Sequence, residues 1–423
     1  MPDPTGPGAQ RLPAPAIRKI LVIQLCPLGD TLFGTPAIRA LRRRFPGAHI
    51  ADLTWSSNRE ILEGNPHLDR LITCPGPLKL PRILSELVEE DFDAVVALSH
   101  VGSWLTLFTG ASVRAGFNSQ TLGWSYTVRV PDRRERHAVD YCLDVVAALG
   151  AEPDGRTMDL PLPDEHRRWA HETLARHRSR PPLRVAIHPG GRHFQAKRWP
   201  AEGFAYVADY LEGQYGAQVI LVGGRDDVGL AHAIVQATRL AQPLVVAGQA
   251  GIKQTAAILQ QSDLFIGNDS APMHMAVAVG TPVVALFGPT NPDNFRPLGP
   301  LDVVVRRPPA CSPCFHWLDG SRQHFPALCQ INGAAECMRA ITPRDVLAAV
   351  EWQLDRLHLR ALRSLGRPPS LPPHGWPPEA MVALAPSRLR WGRRERPHPW
   401  RRRRLLGVRR MPAPHEIREF EEQ

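Results

Sequence analysis

Lysine is scarce in this chain of 423 residues: Lys19, Lys79, Lys197 and Lys253 are the only four, while arginine is used freely. A lysine retained in such a sequence is a candidate for a chemical role. No run of 18 uncharged apolar residues occurs, which predicts that no helix spans a membrane. Residues 1–16 are rich in Pro and Gly and lack the pattern of a secretory signal. We therefore expect a disordered leader and a cytoplasmic protein whose cysteines are reduced.

Two common phosphate-binding signatures are also missing. The sequence contains neither G-x-G-x-x-G nor G-x-x-x-x-G-K-[ST], so neither a nicotinamide-binding fingerprint nor a P-loop is supported. Asp91-Phe92-Asp93 has the D-x-D pattern of some metal-dependent enzymes. It precedes a predicted strand, so we place it at the amino end of the sheet, away from the edge where ligands bind.

The positive charge of the chain is confined to its C-terminal segment. Residues 356–423 hold 16 Arg and 6 Glu, with no Lys or Asp, which equals the net charge of +10 of the whole chain. The body therefore lacks the character of a polyanion binder. We predict that residues 361–423, rich in Pro, Arg and Trp, form a disordered tail. It is a solvated extension, a nucleic-acid contact, or a basic segment that docks on an anionic membrane surface.

The middle of the chain contains two series of short apolar runs separated by amphipathic segments. This alternation predicts strands and helices in turn, and hence an α/β fold with parallel sheets. Proline-rich residues 151–165 separate the series as a linker. We expect two Rossmann-like open-sheet domains facing a central cleft, over residues 17–165 and 166–360. The predicted strands cover 18–25, 48–55, 68–74, 93–99, 113–117, 183–189, 217–224, 243–248, 263–269 and 282–288.

A carboxylate follows the first predicted strand. Asp30 stands between Gly29 and Thr31 in a loop before a helix predicted over 34–45, at the carboxyl end of the strand. A carboxylate there faces the cleft and could act as a general base. The structural alternative is an N-cap for the following helix.

Two glycine pairs follow strands of the second series. Gly190 and Gly191 could let backbone amides approach phosphate oxygens, with Lys197 nearby to neutralise them. An ordinary turn with basic surface residues explains them equally well. Arg225 and Asp226 follow a second Gly-Gly pair, where the acid could hold a ribose hydroxyl or the glycines could serve packing alone.

The segment Gly267–His274 offers the strongest anion site. Asp269 is placed to cap a helix that has Pro272 in its first turn, and the amides of that turn would face an anion. His274 lies four residues after Ser270, on the same helical face, and could also reach a phosphate. The alternative is a capped helix packed on the sheet with a satisfied histidine.

Four cysteines lie near the predicted end of the second domain. The spacing C-x-x-C is typical of a pair of zinc ligands, but no second C-x-x-C follows. Three interpretations of these cysteines remain open: a structural zinc site, reduced cysteines used in packing, and a disulfide. The residues concerned are Cys311, Cys314, Cys329 and Cys337.

Taken together, four segments resemble the heptosyltransferase family, glycosyltransferase family nine, whose members have the GT-B fold. The likeness extends from Lys19 to Leu354 and excludes the tail. It rests on residues 21–46, 187–200, 221–227 and 267–290, in this order and spacing. Gln24 stands where a basic residue is common in that family.

The resemblance implies an inverting, metal-independent transfer of a sugar from ADP-heptose to a lipopolysaccharide-core-type acceptor, with no cofactor required for catalysis. The first domain would bind the lipid-linked saccharide acceptor and the second the nucleotide-sugar donor. Asp30 would be the base and Asp269 would contact the sugar, while Lys197 would contact the phosphates or the sugar. The remaining donor contacts would be Ser270, Ala271 and His274 at the diphosphate, and the loop from Gly248 to Ile252, with Ala250, Gly251 and Ile252, beside the adenine.

Two other functions compete with this one. A nucleotide-sugar epimerase or hydrolase on the same fold would turn over the donor without an acceptor. A non-catalytic nucleotide-sugar-binding protein could use its basic tail to bind nucleic acid, although Asp30 and Lys197 argue against an inactive site. We expect a cytoplasmic enzyme, peripheral on the inner face of the membrane.

Overall fold

The chain forms two six-stranded parallel sheets in series, as a computed structural model shows. The structure describes residues 17–120, 122–133, 135–179, 181–191, 194–317, 323–324, 329, 333 and 335–364. The predicted leader and residues 365–423 of the predicted tail lie outside these residues. The two-sheet α/β prediction is confirmed. In the part of the chain described, none of the helices has the length and apolar character needed to cross a membrane.

The first sheet has the strand order β3-β2-β1-β4-β5-β6, with every neighbouring pair parallel. The order reverses between β1 and β4, which is the point where such sheets open a crevice for ligands. Its strands are β1 Lys19–Gln24, β2 His49–Trp55, β3 Arg70–Cys74, β4 Ala94–Ala97, β5 Val113–Phe117 and β6 Val128–Val130.

The second sheet repeats this order as β12-β11-β10-β7-β8-β9, again with parallel pairs. Its crevice opens between β7 and β10. A short antiparallel hairpin, β13 His316–Trp317 and β14 Gln323–His324, follows it. The strands are β7 Arg184–His188, β8 Gln218–Leu221, β9 Leu244–Val245, β10 Leu264–Asn268, β11 Val283–Leu286 and β12 Val303–Val305.

Helices cover both sheets and explain why the central strands are apolar on both faces. Ile20 to Ile23 of β1, for example, are fully buried. The helices are α1 Leu28–Arg44, α2 Arg59–Leu62, α3 Leu80–Glu89, α4 Ala138–Ala147, α5 Asp164–His177, α6 Ala201–Tyr215, α7 Val228–Ala237, α8 Ile252–Gln260, α9 Ala271–Ala278, α10 Pro292–Phe295, α11 Glu336–Arg339 and α12 Pro343–Ser364.

Helices α1 and α9 join the two halves. They pack on each other, and one continuous apolar cluster extends from the strands of the first sheet to those of the second. Where α1 begins, a Cβ added to Gly29 would lie 3.3 Å from the ring of His274 and 3.6 Å from the Cα of Ala271. The first turns of the two helices therefore face each other at the carboxyl edges of both sheets.

Several elements differ from the sequence prediction. Helix α1 begins at Leu28 rather than near residue 34, so Asp30 belongs to its first turn. Helix α5 was not predicted, because only Ala170 and Leu174 of its 14 residues are buried and it lacks an apolar stripe. Strands β6 and β12 were missed because each has three residues at a sheet edge. Helix α12 continues to Ser364, so the first residues of the predicted tail are helical.

Candidate active site

A cavity of about 510 Å³ lies where the two sheets meet. Its lining residues stand at or beyond the carboxyl ends of strands, in the segments that follow β1, β2, β7, β8, β9, β10 and β11. This is the edge where open α/β sheets bind ligands. The predicted cleft is therefore present as a formed cavity.

Most of the site residues predicted from the sequence line this cavity. Gly190, Arg225 and Thr31 are not among its lining residues, and Thr31 is buried beneath it, where its hydroxyl accepts from Nδ2 of Asn58. The predicted residues that do line it are Gly29, Asp30, Gly191, Lys197, Asp226, Ala250, Gly251, Ile252, Asp269, Ser270, Ala271 and His274.

Asp30 is a half-buried carboxylate in the first turn of α1 rather than a helix cap. The N-cap residue of α1 is Pro27, which makes no side-chain cap bond, so the capping alternative is wrong for Asp30. Burial raises the pKa of Asp30 to about 6; the Lys197 charge lowers it and the Asp269 charge raises it. The group is ionised at neutral pH and still holds a proton well, which suits a general base.

Lys197 and Asp269 form an ion pair on the opposite wall. Lys197 Nζ donates to Asp269 Oδ2 at 2.7 Å, and both side chains are largely buried. Burial acts to raise the pKa of Asp269, but the charge of Lys197 and its hydrogen bond hold it below its ordinary value. The capping prediction for Asp269 is wrong: Ser270 is the N-cap residue of α9 and makes no side-chain cap bond, while the Asp269 carboxylate is bound by Lys197.

His274 is a neutral ring at the floor of the cavity. Burial lowers its pKa to about 3, and its ring packs edge-on against Phe33 at 4.5 Å between centroids. Nε2 lies 3.9 Å from Asp269 Oδ1, and Nδ1 has no hydrogen-bond partner among the residues described. His274 can thus offer a hydrogen bond to a ligand, but not a positive charge.

The glycines of the two Gly-Gly pairs serve different purposes. A Cβ at Gly190 would lie 2.0 Å from Asp227 Oδ1, and Gly223, with φ of +156°, would place one 2.8 Å from the Asp227 side chain. These two glycines make room for Asp227, and Gly190 is not among the residues that line the cavity. Gly191 does line the cavity, as does Asp226.

His188 and Asp227 are polar residues of this wall that the sequence interpretation did not assign. His188 Nδ1 lies 2.9 Å from Ser270 Oγ, and Nε2 lies 3.3 Å from Asp227 Oδ2. Both residues follow strands within motifs that were singled out for their glycines. One signal could have identified them: each is a polar residue at or after the end of a strand, next to a glycine whose role the sequence alone does not explain.

A second cavity, of about 250 Å³, lies behind Asp30, mostly lined by the first half and closed by Asn294 and Phe295 of the second. It opens at the reversal between β1 and β4, and its polar lining includes His100, Arg136 and Tyr141. Asp30 lines both cavities, which places its carboxylate between two spaces that could each hold a ligand. The sequence alone did not identify this cavity, because its lining comes from distant segments.

The Asp91-Phe92-Asp93 motif lies away from both cavities, as predicted. Asp93 Oδ2 accepts from the backbone N–H groups of Arg18 and Lys19, at the amino end of β1. Its carboxylate thus satisfies backbone donors where the strand begins.

The four cysteines do not assemble into a metal site. They are free thiols, and the described part of the chain contains no group of three or more potential ligands placed to hold a metal ion. Cys311 is exposed, whereas Cys337 is buried in the second apolar core, where its Sγ would lie 2.9 Å from a Cβ on Gly288. Burial, and to a smaller extent the other three cysteines, raise the pKa of Cys337 to about 11. The predicted zinc site is therefore not supported, and packing accounts for Cys337.

Polar contacts hold the two halves together beside the cavity. Lys253 Nζ donates to the carbonyl of Glu63 at 2.6 Å, and its backbone N–H donates to Glu60 Oε2 at 3.0 Å. On the other side, Asn294 Nδ2 donates to the carbonyl of Arg136 at 2.8 Å. The side chain of Lys253, one of the four lysines of the chain, therefore spans the junction between the halves.

Comparison with known proteins gives a consistent family. The model of "Glycosyltransferase family 9 (heptosyltransferase)" matches residues 81–323. Lipopolysaccharide heptosyltransferase 3 of Escherichia coli is 27% identical over 76% of this chain and 95% of its own length. Lipopolysaccharide heptosyltransferase 2 of E. coli K12 is also 27% identical, over 68% of this chain and 88% of its own length.

Solved structures share the fold. A glycosyl transferase of family 9 from Veillonella parvula has a TM-score of 0.67 at 27% identity, covering 80% of this chain and 97% of its own. E. coli ADP-heptose lps heptosyltransferase II has a TM-score of 0.64 at 22% identity, covering 80% of this chain and 99% of its own. The dodecameric, iron-containing glycosyltransferase TibC of E. coli has a TM-score of 0.53 at 17% identity, covering 81% of this chain and 77% of its own. These likenesses confirm the predicted GT-B architecture.

Proposed function

The chain belongs to glycosyltransferase family 9, and we propose that this glycosyltransferase moves a heptose from ADP-heptose to a hydroxyl of a lipopolysaccharide-core saccharide. The relatives named as lipopolysaccharide heptosyltransferases support the acceptor class, and the one named for ADP-heptose supports the donor. The observation that carries the proposal is the placement of Asp30 opposite Lys197 and the first turn of α9, across one cavity.

Asp30 is the base in the proposed reaction. Its carboxylate takes the proton of the acceptor hydroxyl as that oxygen attacks the anomeric carbon of the donor sugar. The bond between this carbon and the diphosphate oxygen breaks on the opposite face, so the configuration is inverted. The acceptor would occupy the cavity behind Asp30, because the carboxylate faces both that space and the larger cavity.

Lys197 and the amides of α9 receive the departing diphosphate. Negative charge builds up on the leaving oxygen, and an ammonium group and a helix N-terminus are the groups that stabilise it without reorganisation. Asp269 orients the Lys197 ammonium group through their 2.7 Å contact. We propose that these groups take the place of a metal ion at the diphosphate. His274 adds a neutral hydrogen bond.

The adenine side of the cavity is formed by the start of α8. Ala250, Gly251 and Ile252 line it, and Asp226 faces the same space from the turn after β8. We propose that the first three border the base and that Asp226 accepts from a ribose hydroxyl. Gln254 Oε1 accepts from Gly251 N–H at 2.9 Å, which fixes this turn.

A donor screen followed by a transfer assay tests the proposal. Thermal-shift measurements with ADP-, GDP- and UDP-sugars should show stabilisation mainly by ADP-heptose, because ligands that bind the native state raise Tm. ADP release should then require a truncated lipopolysaccharide core as well. Equal ADP release without the acceptor would indicate a hydrolase or an epimerase. Stabilisation by a different nucleotide sugar alone would exclude the proposed donor.

A further inference from the structure

Three polar side chains form a hydrogen-bonded chain along the wall of the larger cavity. Ser270 Oγ lies 2.9 Å from His188 Nδ1, and His188 Nε2 lies 3.3 Å from Asp227 Oδ2. His188 and Asp227 are buried, and Ser270 lines the cavity where α9 begins. We refer to Ser270, His188 and Asp227 as the relay. The reaction proposed above assigns no role to His188 or Asp227.

The fold positions the relay at the reversal point of the second sheet. Ser270 follows β10, His188 ends β7 and Asp227 follows β8, and these are adjacent strands in that order. Asp227 Oδ2 also accepts from the Gly224 N–H at 2.9 Å. Side chains at Gly190 or Gly223 would displace the Asp227 carboxylate. Two glycines and a backbone donor thus hold a carboxylate beside the imidazole.

The carboxylate determines where His188 carries its proton. Burial acts to raise the pKa of Asp227, but its hydrogen bonds with His188 and the Gly224 N–H, together with the charge of Arg198, hold it below the ordinary value. An ionised carboxylate can only accept, so His188 Nε2 carries a hydrogen. In neutral His188, Nδ1 then has only a lone pair, and Ser270 must donate its hydroxyl proton to it.

Ser270 therefore has two states that differ by one proton on His188. With neutral His188, Ser270 donates its hydroxyl proton to His188 Nδ1. The lone pairs of Ser270 Oγ then face the cavity, and they repel a phosphate oxygen. With protonated His188, Nδ1–H donates to Ser270 Oγ. The Ser270 proton is then free for an anion, or for the Asn268 carbonyl at 3.1 Å when no anion is bound.

We propose that His188 is a positioning residue that takes up a proton when a nucleoside diphosphate binds, so that Ser270 becomes a hydrogen-bond donor to the phosphate. The inference rests on the proposed function, because it requires a diphosphate at the start of α9. The proton goes from solvent to His188 Nδ1, and no covalent bond of the ligand changes.

The charges around the relay are compatible with an imidazolium. Lys197 is paired with Asp269, so its positive charge is already compensated. His274 is neutral because burial lowers its pKa to about 3. Asp226 faces the cavity in the same turn as Asp227, and Arg198 is the cation that acts on Asp227. The positive charge gained by His188 would therefore lie between two anions, Asp227 and the bound diphosphate.

Calorimetry of ADP binding measures this proton directly. Titrations of the full chain at pH 7.5 in buffers of different ionisation enthalpy yield the number of protons taken up per ADP. Proton uptake by the wild type should exceed that of His188→Gln by up to about one proton, since Gln keeps an N–H toward Asp227 but cannot be protonated. Uptake at Asp30 occurs in both proteins and cancels in the difference. His232→Gln, on the exposed side of α7, is the matched control and should behave as the wild type.

The outcomes separate the relay from the proposed function. Equal proton uptake by the wild type and His188→Gln, with ADP still bound, would overturn the relay and leave the transferase proposal intact. Absence of binding by ADP, GDP and UDP would contradict both. If His188→Gln does not fold by circular dichroism, Asp227→Asn serves instead. It removes the charge that stabilises the imidazolium, so the same loss of proton uptake is expected.

Discussion

At the scale of the residue, Asp30 shows how a fold can hold a group in an unfavourable state. Burial raises its pKa to about 6, so its charged form is less favourable in the folded protein than in the unfolded chain. Asp30→Asn should therefore lower kcat by about 10²–10⁴ while leaving Tm at neutral pH unchanged or higher. Steady-state kinetics and thermal unfolding of the same preparation check both parts.

A matched aspartate provides the control for that experiment. Asp91→Asn alters an exposed residue at the amino end of the first sheet, and Asn tolerates its positive φ of 51°. Its kcat should equal that of the wild type. Near-normal turnover by the Asp30→Asn enzyme would eliminate Asp30 as the base.

The same carboxylate predicts the acidic limb of the pH profile. Asp30 accepts a proton only when ionised, and its pKa lies near 6. kcat/KM should therefore be level above about pH 7 and fall about tenfold per pH unit well below pH 6. A limb near pH 4, the ordinary range of an aspartate, would show that a different or more exposed group controls the rate.

Lys197 and His274 should differ in effect, although both were first assigned to the phosphates. Lys197→Ala removes the cation opposite the leaving oxygen and leaves Asp269 buried without its partner. It should lower kcat/KM by about 10²–10³, and His274→Ala, which removes a neutral ring, by about tenfold or less. Initial rates at several donor concentrations measure both. If both variants keep wild-type kinetics, the diphosphate binds elsewhere.

At the scale of the element, one buried amide joins the end of β10 to the loop between β7 and α6. Asn268 ends β10; its Nδ2 donates to the carbonyls of Pro189 at 2.8 Å and Gly190 at 3.1 Å, and its Oδ1 accepts from the Trp199 N–H at 3.2 Å. Asn268→Ala leaves buried backbone groups unpaired. The free energy of unfolding should fall by about 1–3 kcal/mol or more.

Denaturant unfolding, with Asn118→Ala as the control, tests this expectation. Asn118 lies exposed in a turn of the first half, so its replacement should change the free energy of unfolding by less than about 0.5 kcal/mol. Equal stability of the Asn268→Ala protein and the wild type would mean that water or a backbone shift replaces the lost contacts.

At the scale of the whole molecule, the active cavity depends on both halves. Asp30 comes from the first sheet, whereas Lys197, Asp269 and the relay come from the second. The contacts of Lys253 with Glu60 and Glu63 lie beside the turn proposed for the adenine. Anything that separates the halves would separate the base from the donor.

The charged tail predicts how the enzyme reaches a lipid-linked acceptor. Residues 356–423 carry the entire net charge of +10, with Trp391 and Trp400 among the arginines. Each Arg close to an anionic surface contributes about 1 kcal/mol, and Trp is favoured at the membrane interface. The full chain should co-sediment with anionic vesicles at low salt and not with neutral ones. Removal of residues 365–423 should abolish binding, and equal binding by the truncated protein would exclude membrane docking by the tail.

The sequence by itself determined the periodic features. Buried parallel strands are continuous apolar runs, so the two series of strands, and the ends where Asp30, Lys197 and Asp269 stand, were predictable from residue order. Elements without such a signal were not: α5 is mostly polar, and β6 and β12 are short edge strands. The start of α1 was misplaced because residues 28–33 were interpreted as a loop, although they form its first turns.

Only the tertiary structure decided the state and partners of each group. The pKa of Asp30 depends on its burial among residues of both halves, and Asp269 pairs with Lys197, 72 positions away. His188, Asp227 and Ser270 come together because β7, β8 and β10 are neighbours in the sheet although β10 is distant in sequence. Hydrogen bonds and desolvation depend on distances of a few ångströms, and no spacing along the chain specifies these distances between separate strands.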